Sequence, residues 1–142
     1  MATSTYLSNP VVLIGATSAA TTDITDQVSA ATLTVTAEAL EDTAFGSTSR
    51  TMTAGLFSNS LTLTVYASYA ASESYAVLAP LLGTKCYIKV NPTAAADGAT
   101  NPGFILSETY LASIPVINAS LGELSTFEIE FQGGTYSVDT TV

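Results

Sequence analysis

The stretch LGELSTFEIEFQGG, Leu121 to Gly134, decides the fold. Phe127, Ile129 and Phe131 alternate with Thr126, Glu128 and Glu130. Successive side chains of a strand point to opposite faces. The spacing therefore predicts a strand with an apolar face on a core and a polar face bearing two carboxylates. Gly133-Gly134 ends it. The same period of two recurs upstream. Leu33, Val35 and Ala37 alternate with Thr32, Thr34 and Thr36 in the run Ser29 to Glu38. Leu61, Leu63 and Val65 alternate with Thr62, Thr64 and Tyr66, and Cys86, Ile88 and Val90 with Tyr87 and Lys89.

Between these runs the chain changes character. Val11 to Gly15 is a short strand and Ala16 to Thr22 a low-complexity Ala/Ser/Thr linker. Asp23-Ile24-Thr25-Asp26 is a turn cluster, because Asp and Thr side chains bond to nearby backbone. Ala39 to Leu56 is a long loop or extended hairpin tip joining two neighbouring strands. Ser72 to Gly83 is the one helix candidate: Ser72 as cap, Glu73 in the first turn, and Tyr75, Leu78 and Leu82 on one face. Pro80 should tighten or kink it. Asn91 to Gly103 is a loop, and Phe104 to Ile114 is mostly extended. Met1 to Pro10 is a flexible N-terminal arm, and Thr135 to Val142 a polar, mobile tail. The expected fold is mainly β, a sandwich or barrel with one short flanking α-helix, in a single domain over residues 11–134.

The composition narrows the function. Of 142 residues, 47% are hydrophobic and only 11% charged, against a usual charged share of about 25%. So few charges suit a surface covered by copies of the same chain. The net charge of −9 argues against wrapping nucleic acid, which requires cations to replace phosphate counterions, and against an anionic membrane. Cys86 is the single cysteine, so no intramolecular disulfide forms and assembly outside an oxidising compartment is expected. No Lys or Arg precedes Arg50, so the start lacks the basic region of a secretory signal. With no secretory signal, the glycosylation-type pattern Asn118-Ala119-Ser120 is read as coincidental.

Chemistry finds little support. The chain has no His, the usual base near neutral pH. Glu128 and Glu130 are about 7 Å apart along one strand face. A glycosidase pair instead flanks a cleft from separate elements. The carboxylate pairs at Asp23/Asp26 and Glu41/Asp42 are too few for a hard cation. No cofactor, metal or catalytic group is expected.

The order of segments resembles the major tail tube proteins of long, non-contractile-tailed bacteriophages. The likeness runs from Asp23 through DITDQVSAATLTVTAEALEDTAFGSTSRTMTAGLFSNSLTLTV, then LAPLLGT before a strand, then TNPGF. It ends at Gly122-Glu123-Leu124-Ser125-Thr126 and Gln132-Gly133-Gly134. The resemblance implies a tail-tube-like β domain whose copies form hexameric rings. The inner sheets of a ring join into one barrel, and the rings stack into a tube through which genomic DNA is ejected. It makes Ala39 to Leu56 the assembly loop and the two termini stacking arms. It implies other tail proteins as partners at the tube ends, a place in the virion tail, and synthesis in the host bacterial cytoplasm. Within it, Glu128 and Glu130 are candidates for an acidic lumen wall. Arg50 is the candidate to pair across a subunit boundary with Glu41 or Asp42. The alternative is another virion or surface β module, such as a fibre, decoration or adhesion domain.

Overall fold

Each alternating run forms a strand, and the strands join into one antiparallel sheet. The computed structural model describes residues 10–99, 101–119 and 121–141. In chain order it holds β1 (Val11–Gly15), β2 (Thr21–Asp23), β3 (Val28–Glu41), β4 (Met52–Tyr66), α1 (Ser74–Leu78), β5 (Lys85–Asn91), β6 (Gly103–Leu111), β7 (Thr126–Gln132) and β8 (Thr135–Asp139). The strand order is β2-β1-β5-β6-β7-β4-β3, with β8 beside β6. The expected mainly-β fold with one short helix is what forms.

The core sits where the opening stretch predicts. Phe127, Ile129 and Phe131 are fully buried and lie opposite Val65, Leu63 and Leu61 of β4. Val12 and Ile14 of β1, Ile88 of β5 and Leu106 and Leu111 of β6 belong to the same buried cluster. The sheet therefore folds over onto itself, with β4 and β7 facing β1, β5 and β6. Each of these large side chains contributes about 1.5–3 kcal/mol through removal from water.

The fold-over depends on a corner. The pairing β6–β8 runs from Gly103↔Asp139 to Ser107↔Thr135, and β6–β7 resumes at Tyr110↔Gln132. One antiparallel register therefore spans both, interrupted where Glu108 and Thr109 face Gly133 and Gly134. Glu108 adopts φ 56°, Gly133 φ 74° and Gly134 φ 93°, a region open to glycine and costly for most other residues. A Cβ on Gly134 would lie 2.5 Å from the Ser107 carbonyl oxygen. Asn59 pins the corner: its carbonyl accepts from the Gly133 N–H at 2.8 Å, and its Nδ2 donates to the Gly134 carbonyl at 2.9 Å.

Three expectations change and one alternative is decided. The C-terminal residues Thr135–Asp139 are not a free tail but strand β8, because the glycine corner redirects β7 along β6. Of the two readings of Ala39 to Leu56, the extended hairpin forms: β3 runs to Glu41 and β4 starts at Met52, leaving residues 42–51 as the tip. The linker Ala16 to Thr22 already enters β2 at Thr21. The helix is shorter than the run Ser72 to Gly83. α1 ends at Leu78, a 3-10 turn covers Ala79–Leu81, and Pro80 lies at its start. Ser72 sits at φ 63° and is not the cap. Ser74 Oγ instead bridges the Tyr66 carbonyl at 2.7 Å and the Ser68 N–H at 3.0 Å. The tighter turn rotates Leu82 outward and buries Leu81. Apart from Pro10, the expected N-terminal arm lies outside the described residues.

Gly134→Ala combines a left-handed backbone with a steric clash and should lower stability by about 1–3 kcal/mol. Gly46→Ala, at φ 87° with nothing within 4 Å of the added carbon, keeps the backbone penalty alone and should cost about 1 kcal/mol. Urea midpoints of the two variants check the order.

Candidate assembly surface

The β3–β4–β7 half of the sheet has two contrasting faces. The inner face carries the core residues. On the outer face Thr32 lies across from Thr62, which lies across from Glu130. The next row is Thr34, Ser60 and Gln132, and Thr64 faces Glu128. Glu128, Glu130 and Gln132 are exposed, as are Thr32, Thr34 and Thr36. These rows contain hydroxyls, one amide and two carboxylates, and no cation. The two acids stand where the alternation put them, on the side away from Phe127, Ile129 and Phe131.

Strand β3 forms one end of the sheet path, and its residues are exposed on both faces except for the partly buried Val28 and Leu33. Among the described residues its outer edge has no partner strand, so it offers N–H and C=O groups to another strand. Beyond Asn59 the β3–β4 pair leaves the core and projects as an arm. A bulge between Ala37 and Ala39 shifts its register, with Gly55 and Leu56 both opposite Glu38. Gly55 fits because a Cβ there would stand 3.0 Å from a Glu38 carboxylate oxygen. The arm exposes Leu40, Phe45, Met52, Leu56 and Phe57, with Phe45 fully exposed and Leu56 at 81%. Water-facing apolar groups in this number mark an interaction site.

Glu41 closes β3 opposite Met52. The Asp42 N–H donates to the Thr51 carbonyl at 3.0 Å, and the Thr51 N–H to Thr43 Oγ1 at 2.9 Å. Arg50 is exposed in the tip beside them. The structure gathers Arg50, Glu41 and Asp42 at one end of the arm. Among the described residues the ion pairs are Lys89 with Asp97 and with Asp139, and neither includes Arg50. Asn118, of the glycosylation-type pattern, uses its Nδ2 to donate to the Thr126 carbonyl at 2.7 Å.

The resemblance marked Ala39 to Leu56 as an assembly loop, but the apolar surface of the arm, and a second exposed apolar group at Val116, Ile117, Leu121 and Leu124, were not read from the sequence. The arm's signal was present: the alternation of Thr34, Thr36 and Glu38 with Val35 and Ala37 continues past the point where core packing ends. Cys86 is buried as expected, and burial pushes its thiol pKa up.

No protein-family model matches the sequence, and no curated protein matches it. Solved structures do match in fold. Against the SPP1 tail tube the TM-score is 0.72 at 11% identity, covering 94% of this chain and 78% of that one. Against the tail of an empty gene transfer agent particle, solved with C6 symmetry, it is 0.63 at 17% identity, covering 92% and 96%. Against the sheath/tube terminator of an extracellular contractile injection system, PVC, it is 0.68 at 14% identity, covering 98% and 99%. The chain has the tail-tube fold.

Lys89 ties β8 and the loop after β5 to the sheet. Its hydrogen bond to Asp97 holds its pKa above the ordinary 10.5. A raised folded pKa gives stability that is full below 10.5 and lost as pH rises through the folded value. Asp139 is held below its ordinary 3.8, first by hydrogen bonds from Thr141, so its contribution is present above 3.8 and lost as pH falls through the lower folded value. Lys89→Met should cost about 1 kcal/mol at neutral pH. The difference from the parent in denaturant midpoint should shrink above pH 10.5.

Proposed function

We propose that this chain is the structural subunit of a phage-type tail tube, without enzymatic activity. Six copies close a ring and rings stack into a tube through which genomic DNA is ejected. The observation that carries the reading is the outer face of β3, β4 and β7, a cation-free wall of hydroxyls and carboxylates ending in an unpaired edge strand. Edge pairing is a hazard in a monomer, but in a ring it joins neighbouring sheets and rotational closure removes the free edge. The C6 symmetry of the similar gene transfer agent tail supports six copies.

In this arrangement the outer face lines the lumen, and Glu128 and Glu130 supply its negative charge. A wall that repels phosphates binds no DNA and lets it slide. The residues Ala39 to Leu56 reach the neighbouring subunit. Arg50 there pairs across the boundary with Glu41 or Asp42, and both N- and C-terminal segments add contacts between rings. Other tail proteins cap the tube ends. The protein is made in the host bacterial cytoplasm and resides in the virion tail.

Electron microscopy of the purified protein should show filaments of uniform width with a central channel. A stable monomer that binds a sugar or receptor through its loops would overturn the tube and favour a fibre, decoration or adhesion module. Arg50→Ala should impair filament formation without changing the thermal midpoint, since Arg50 is exposed; normal filaments would exclude the boundary ion pair. Glu128→Lys with Glu130→Lys turns two negative charges per copy into two positive ones. Tubes should still form, but DNA should now be retained and released only as salt rises. Tubes that still bind no DNA would place these residues on the outer wall.

A further inference from the structure

Two apolar surfaces lie at opposite ends of the same sheet half. At one end, the sandwich is open between the inner face of β3 and strand β8. A cavity of about 400 Å³ there is lined by Val35, Phe57, Asn59, Gly134, Thr135 and Tyr136. It continues through Val35 and Tyr136 into a second cavity beside Leu33, Val90 and Phe104. No lining residue of either is charged. Asn59 is 8% exposed, and its Oδ1 has no hydrogen-bond partner among the described residues. The Gly134 carbonyl, an acceptor, fixes which end of the amide is Nδ2. A buried acceptor left alone is destabilising until a donor reaches it.

At the other end lies the segment between β6 and β7. Val116, Ile117, Leu121 and Leu124 are exposed there, Leu121 fully and Leu124 at 80%. The segment is anchored at that end by the Tyr69 hydroxyl on the Val116 carbonyl at 2.8 Å and by the Ala67 N–H on the Ser125 carbonyl at 2.9 Å. The sheet rows run from Tyr66↔Thr126 at this end to Ser60↔Gln132 beside Asn59 at the other, about 20 Å by strand rise.

We propose that the segment bearing Leu121 and Leu124 docks into the Val35–Phe57–Tyr136 groove of the next copy along the tube axis. The inference rests on the tube reading and assigns its ring-to-ring contact. Charge selects this occupant. The groove is uncharged, and Glu123 is the single charge between Ala112 and Ser125, whereas the projecting arm carries Glu38, Glu41, Asp42 and Arg50. Position selects it too: different patches at opposite ends form a head-to-tail contact, which propagates rather than closes. A backbone N–H of the docked segment is a donor of the kind that Asn59 Oδ1 lacks.

The test is a Phe57→Cys, Leu121→Cys double variant, with buried Cys86 left in place. Both positions are exposed, so the fold tolerates the exchange. After assembly and mild oxidation, a non-reducing denaturing gel should show a ladder of covalent oligomers that neither single variant gives. Filaments in the microscope with no ladder overturn the proposal and leave the tube reading standing. A ladder from Phe57→Cys with Ser4→Cys, and none with Leu121→Cys, gives the groove to the N-terminal segment and also overturns it. Failure of the unaltered protein to form filaments removes both readings together. Leu121→Glu should raise the concentration needed for assembly about tenfold or more with an unchanged unfolding midpoint.

Discussion

The register between β4 and β7 is the constraint on which the rest depends. Leu61, Leu63 and Val65 stand opposite Phe131, Ile129 and Phe127, and the intervening hydroxyl residues stand opposite Glu130 and Glu128. A slip of β7 by one residue would move Phe127, Ile129 and Phe131 to the outer face and bring both carboxylates into the core. Burying a carboxylate without a partner costs far more than any single core contact gains. The core and the acidic face are therefore one decision made by one ladder, and neither changes without the other.

That ladder alone would give an open, flat sheet. The closure comes from Gly133 and Gly134, which let the chain leave β4 and continue as β8 along the first half of β6. Asn59 couples the two events: it sits on β4 opposite Val35, and it binds the corner through both its backbone and its side chain. The same turn opens the groove beside β8. The positive-φ glycines thus do more than end a strand, because they set where the inner layer of the sandwich stops.

The sequence made the paired strands legible because their environment is two-sided: one face dry, one face wet, with period two as the imprint. It placed Glu128 and Glu130 on the correct side for that reason. It was less legible where an environment is the same on both faces. The arm, Ala37 to Glu41 with Met52 to Phe57, is exposed on nearly all sides, so burial leaves no imprint beyond Glu38 and a long loop and an extended hairpin tip stayed open as alternatives. Strand β8 escaped for a related cause: Thr135 to Asp139 are mostly exposed, and their pairing is set by the distant β6 rather than by their own pattern. The helix was legible in place but not in length, since Pro80 tightens its second turn and exchanges Leu82 for Leu81 on the buried side. Arg50, Glu41 and Asp42 are neighbours in space much as in sequence. The roles proposed for them lie in contacts with other copies, which a single chain does not contain.

The apolar surface left outside this core has a consistent physical sense. A monomer would gain solubility from more charges on β3, on the arm and on the segment before β7 than the few that stand there. Instead the exposed positions there include Val35, Leu56, Phe57, Leu121 and Leu124, and the chain's acids are spread so that two of them face outward on β7. Hydroxyls on the outer face of β3 and β4 keep that face wettable while adding little charge repulsion between adjacent copies. A free edge strand, an uncharged groove and an apolar segment at the opposite end are each unfavourable in isolation. In the proposed tube they supply lateral and axial directions of association, and a face that is neither apolar nor cationic remains to meet water and a polyanion.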